Sequence, residues 1–259
     1  MFVAIMICAI ILPQSVRADK IPFDPSVAIA STMSPDTLML EDLTPNVWSV
    51  NPTVGYLTFS SILDESGTAA KGHGYGGTGE VSLSFGSHVG LSISGFGYKG
   101  SGDFTAGTNG GADGTCDISG WVFGTSLVLD PFSGKGFRMP FFLGLNYQHL
   151  ASSMPTAPYI TSTTLDSPGY TFGFSPRFSV GVLRFKPFIV ISAPMNNATI
   201  TCAAGTPAEF CIPIALRMLP VVGANIEYVP WNIGFFFSLS NLFIDTGASF
   251  YSFGPSFKF

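Results

Sequence analysis

Apolar and polar residues alternate along most of this chain, which is the period of a strand with two unlike faces. Gly79–Gly86 is the clearest case, with Val81, Leu83 and Phe85 on one face and Glu80, Ser82 and Ser84 on the other. Gly90–Lys99 sets Leu91 and Ile93 against Ser92 and Ser94. Ile118–Leu129 lines up Trp121, Phe123, Leu127 and Leu129, and Met139–Leu150 lines up Phe141, Leu143, Leu145 and Tyr147 opposite Asn146 and Gln148. Gly169–Leu183 sets Phe172, Phe174, Phe178, Val180 and Val182 against Thr171, Ser175, Arg177 and Ser179. Asn232–Ser240 presents Ile233, Phe235, Phe237 and Leu239 together. Weaker signals predict strands at Thr53–Leu63, Pro187–Ala193 and Ile214–Tyr228, and Ala248–Phe259 closes the chain.

The pattern therefore predicts ten strands, and its connections have two sizes. Asp64–Thr78, Gly100–Asp117, Ala151–Pro168, Pro194–Pro213 and Asn241–Gly247 are long and rich in Gly, Ser, Asp or Pro. Ser87–Val89, Asp130–Arg138, Arg184–Lys186 and Val229–Trp231 are short turns between them. A sandwich has no reason to alternate long and short connections so regularly, whereas an up-and-down barrel does. A miscounted weak strand would make the number eight or twelve.

Composition favours a lipid face over the apolar surface of a soluble β protein. Only 10% of the 259 residues are charged, against about 25% in a soluble domain, and there are 25 Phe and 30 Gly. No segment after the first residues offers the roughly 20 consecutive apolar residues of a membrane helix, so the remaining way to cross a bilayer is a closed barrel. With 11 basic and 16 acidic residues and no basic patch, the balance disfavours nucleic acid as a partner. The apolar run Phe2–Leu12, followed by Val16-Arg17-Ala18, reads as a cleaved secretory signal over residues 1–18, without the usual basic start. Residues 19–52, with five prolines, are expected as a periplasmic lead-in or partial plug, and 53–259 as the barrel.

The last strand carries a resemblance. Tyr251, Phe253, Phe257 and Phe259 share one parity and Ser252, Gly254, Ser256 and Lys258 the other, and the chain stops on an aromatic. This resembles the closing strand of bacterial outer-membrane β-barrels, the class that includes small porin-like and OmpA-like barrels. The resemblance implies an all-β fold, a single antiparallel transmembrane barrel. It also implies outer-membrane location in a Gram-negative cell, contact with lipid and lipopolysaccharide, and recognition of the terminal aromatics by the barrel-assembly machinery. Long loops then lie outside the cell and short turns in the periplasm. Trp121, Tyr147, Tyr228, Trp231 and Tyr251 sit where interfacial girdles belong.

Charges on the inward parity are the candidate site, because a charge facing lipid near the midplane costs up to ~2–4 kcal/mol. They are Glu80, Arg177, Arg217, Glu227 and Lys258. They point to selectivity or gating in a narrow lumen that passes small solutes or ions. A closed structural barrel that binds partners or polysaccharide through its outer loops is the alternative. Chemistry beyond that is thin. Gly72–Gly77 matches a dinucleotide glycine pattern but precedes a strand and lacks the helix that holds pyrophosphate. Asp64, Glu65, His73, Asp103, Asp113, Asp117 and His149 in the outer segments evoke rim proteases among ten-strand barrels, but no spacing compels a catalytic set. No enzyme, cofactor or metal is expected. Export permits a disulfide, with Cys202 and Cys211 as the expected pair and Cys116 left over.

Overall fold

A computed structural model describes residues 48–62, 69–86, 88–105, 113–134, 137–153, 160–197, 199–205, 219–241 and 249–257. The expected signal segment and most of the lead-in lie outside the described residues. Ten long staves appear among the described residues: β1 (Trp48–Ile62), β2 (Ala69–Ser84), β3 (Val89–Thr105), β4 (Gly114–Leu129), β7 (Phe141–Ser153), β8 (Ile160–Phe174), β10 (Leu183–Pro194), β12 (Leu219–Tyr228), β13 (Ile233–Asn241) and β14 (Ser249–Phe257). Four short pieces attach to them: β5 (Ser133–Gly134), β6 (Phe137–Arg138), β9 (Arg177–Val180) and β11 (Thr199–Cys202). Every neighbouring pair is antiparallel, and β1 pairs with both β2 and β14, so the sheet closes on itself. Closure removes the free edges that would otherwise template aggregation.

The alternation does its work here. Outward positions such as Phe123, Leu143, Leu145, Phe235 and Phe237 are exposed, while Ser126, Asn146, Thr171, Ser238 and Ser252 between them are buried. Tyr56, Tyr75, Trp121, Tyr147 and Tyr170 ring the end nearer the long loops, and Tyr228, Trp231 and Phe132 the other. From Trp121 to Leu129, β4 presents an outward stripe that is apolar except at Thr125, about the 9–11 residues a tilted strand needs to cross a bilayer.

The strands are longer than the alternation predicts at the long-loop end. β2 starts at Ala69, β3 runs to Thr105, β4 starts at Gly114 and β8 at Ile160, and β11 pairs with β8. Much of the expected loops Asp64–Thr78, Gly100–Asp117 and Ala151–Pro168 is therefore ladder, as is Thr199–Cys202 within Pro194–Pro213. Above the lipid, the outer face meets water and the alternation fades, yet the backbone bonds still need partners. The expected turn Arg184–Lys186 is also corrected. The chain reverses at Gly181–Val182, between Val180 and its partner Leu183. Gly181 has φ +60°, the backbone a glycine-first two-residue hairpin requires. Arg184 and Lys186 belong to β10.

Candidate lumen site

Two kinds of side chain fill the lumen. Toward the long loops it is largely apolar: Leu57, Cys116, Ile118, Leu150 and Leu165 are fully enclosed. Glycines let the wall close around them. A Cβ at Gly74 would lie 2.5 Å from the Lys99 carbonyl, and one at Gly100 would lie 3.1 Å from Ile118. Elsewhere inward aromatics lie over glycines of the next stave, as Phe142 over Gly173 and Phe188 over Gly223. Such pairs fill the space a missing side chain leaves.

Toward the short turns the lumen is polar and charged. Glu80, Arg177, Lys186 and Glu227 are 2%, 3%, 4% and 5% exposed. Glu80 accepts a 2.6 Å hydrogen bond from the Ser92 hydroxyl. Lys186 Nζ stands 2.6 Å from Glu227 Oε2, and Arg184 Nη1 stands 3.3 Å from Oε1. Asn225 and Ser256 exchange hydrogen bonds of 3.2 and 3.3 Å. Below them, buried Asp130 binds Arg138 at 2.7 Å and accepts from the Met139 amide at 3.3 Å. Tight contact of this kind offsets the desolvation of each charge only while both partners are present.

Of the five expected lumen charges, Glu80, Arg177 and Glu227 lie on inward positions, while Arg217 and Lys258 lie outside the described residues. Lys186, Arg184, Arg138 and Asp130 are additional members of this end. Their signal in the sequence was parity: Lys186 shares the inward parity of Phe188 and Val190 once the reversal is set at Gly181.

The terminal strand keeps its expected face. Phe253 is exposed and its ring meets Tyr56 at 5.5 Å and Phe235 at 6.3 Å across the closing seam. Phe257 ends β14, the side chain of Tyr251 is not described, and Phe259 lies outside the described residues. Cys116 is buried and free. Cys202 ends β11 and is not a free thiol, and Cys211 lies outside the described residues. His73, Asp103, Asp117 and His149 stand on strands rather than in loops. His149 and Asp166 form an exposed 2.7 Å pair on the outer wall, where His149 also stacks on Trp121 at 5.8 Å. Among the described residues no group of three or more His, Cys, Asp or Glu is placed to hold a metal.

No family model and no curated protein matches the chain. Solved structures do. The translocator domain of the autotransporter NalP from Neisseria meningitidis superposes with a TM-score of 0.50 at 11% identity, over 93% of this chain and 100% of that one. The outer membrane protease OmpT from Escherichia coli gives 0.46 at 8% identity, over 83% and 98%. The outer membrane protein OprG from Pseudomonas aeruginosa gives 0.38 at 15% identity, over 85% and 99%. A closed antiparallel barrel with a lipid-facing belt, two aromatic rings and alternating connection lengths is an outer-membrane β-barrel. Its place is the bacterial outer membrane.

Proposed function

We propose that this barrel is a narrow conduit for small solutes or ions, shut in the present conformation and gated by the charges at its periplasmic end. The observation that supports this is the inward wall there, where Glu80, Arg177, Lys186 and Glu227 are held out of water inside a membrane-spanning lumen. Ion pairs in so confined a space act as a latch: separating Glu227 from Lys186 and Arg184 opens polar volume without exposing apolar surface. In the same reading Arg217 and Lys258 complete the charged set and Tyr251, Phe253, Phe257 and Phe259 engage the assembly machinery. Lipopolysaccharide covers the outer wall, Cys202 and Cys211 staple the long loop, and the protein carries no enzymatic activity.

The test is single-channel recording of the refolded mature protein in a planar bilayer. Wild type is expected to give rare, small openings, Glu227→Gln more frequent ones, and Glu80→Gln a changed ion preference. A folded protein that never conducts in any of the three forms would remove the conduit. The second reading, a closed barrel that binds partners through its outer segments, is favoured by the enclosed Leu57, Ile118, Leu150 and Leu165 in the outer lumen. Absence of conductance would select it.

A further inference from the structure

Three prolines interrupt adjacent staves at one level. The ladder from β7 into β6 keeps one register, since Phe141 pairs with Phe174 and Arg138 with Arg177, so Pro140 stands opposite Ser175. The ladder between β8–β9 and β10 also keeps one register, with Phe174 opposite Ile189 and Phe178 opposite Phe185. That register sets Pro176 opposite Pro187.

The direction of the bonds follows from one contact. The Ser175 amide donates to the Pro140 carbonyl at 3.0 Å, so Ser175 bonds toward β7. Successive residues of a strand bond to opposite sides, so Pro176 faces β10, and its partner Pro187 faces back. A pair of this kind normally exchanges two amide bonds. Both donors are absent, because both residues are proline. The next bonding pairs are Phe174 with Ile189 and Phe178 with Phe185, which leaves roughly 13 Å of wall unstitched at about 3.3 Å per residue. Pro140 removes one more donor in the adjoining ladder.

The gap lies in the lipid belt near the short-turn end. Phe172 on one side of it and Phe178, Val180, Leu183 and Phe185 on the other are exposed to the outside. Directly behind it the lumen is cationic. The register that pairs the two prolines sets buried Arg177 opposite buried Lys186, and Arg138 pairs with Arg177 on the other side. With Arg184 that makes four cations at this end against the carboxylates of Glu80, Asp130 and Glu227; Asp130 holds Arg138, and Glu227 holds Lys186 and Arg184. Like charges directly across a ladder are unfavourable, and here they coincide with its missing bonds.

We infer that the Pro176–Pro187 gap is a lateral site for an amphiphile with an anionic headgroup, entering from the inner leaflet of the outer membrane. The acyl chain stays among Phe178, Phe185 and Ile189 outside, and the headgroup reaches Arg177 and Lys186 through the unstitched wall. Charge-assisted bonds from a guanidinium are the strong kind, and a phosphate or carboxylate matches its planar fork. The inference goes beyond the conduit and holds whether or not the lumen conducts.

Native mass spectrometry of the refolded mature protein, released from neutral detergent, tests it. The probes are phosphatidylglycerol, phosphatidylcholine and inorganic phosphate. Wild type is expected to retain phosphatidylglycerol roughly tenfold over phosphatidylcholine, about one charge-assisted contact in affinity terms. Arg177→Gln should erase that preference. Pro176→Val with Pro187→Val, which returns both amide donors, should also erase it while leaving Arg177 in place. The shift in gel mobility on heating reports folding of each variant, and the proline pair carries the test where Arg177→Gln does not fold. Equal retention of the two lipids, or a preference that survives the restored ladder, overturns the inference. So does full displacement of phosphatidylglycerol by inorganic phosphate, which would mark a soluble-anion site reached through the lumen.

Discussion

The wall of this barrel has two unlike sides. From β1 to β4 it is built of strands of 15 to 17 residues whose ladders run without a register change, Ala69 opposite Thr105 down to Ser84 opposite Gly90. Glycines bring the backbones close and the lumen behind them is apolar in its outer half. From β7 to β10 the ladders are broken by Pro140, Pro176 and Pro187, and the lumen behind them is charged. The first side is stitched by donors and packed by shape. The second is held by ion pairs that must stay matched. Stability in a barrel is thus not uniform around its circumference, and the side with fewer bonds is the less protected one.

Removing a charge should do the most damage. Glu227→Gln leaves Lys186 and Arg184 enclosed without their carboxylate, and a cost of about 3–5 kcal/mol is expected from breaking a buried pair on one side only. Urea unfolding of the refolded protein, followed by tryptophan fluorescence, measures it. A midpoint equal to wild type would show that the pair is not held out of water.

The stitched side is tested by shape. Gly74→Val brings a side chain against the Lys99 carbonyl and the Gly100 Cα at 2.5 and 2.7 Å, backbone atoms that have no room to move. A loss of about 1–3 kcal/mol follows from overpacking, with the excess appearing as a fraction that fails to fold. A glycine at an open position, Gly79, gives the control, since a Cβ there meets nothing within 4 Å.

The outer pair should matter least. His149→Gln removes an exposed side-chain contact with Asp166, and exposed polar pairs of this kind contribute about 0–1 kcal/mol. An unchanged urea midpoint is expected, and a large loss would move structural weight onto the outer wall.

What the sequence reveals divides along the same line. Lipid enforces alternation, so Phe123, Leu143 and Phe235 mark their outward faces and the alternation carries the ten-strand count. Above the bilayer that enforcement ends, and the ladders through Lys71, His73 and Asp103 were invisible because their residues are Gly, Ser and Asp. The reversal at Gly181 was hidden for the opposite reason. Phe178, Val180 and Val182 continue the apolar parity straight through the turn, which pushed the expected hairpin onto Arg184–Lys186 and removed Lys186 from the lumen. The coincidence of Pro176 and Pro187 could not be read from either stretch alone, since it exists only once the register between two strands is known.

Hydrogen exchange of the refolded protein, resolved along each strand, measures the difference between the two sides most directly. Amides of β2 and β3 are expected to exchange slowest, and those of Phe174, Phe178, Phe185 and Ile189 around the proline gap markedly faster, with the contrast reduced in the Pro176→Val, Pro187→Val variant. Equal protection at the gap and in the β2–β3 ladder would contradict a barrel with one weakened side.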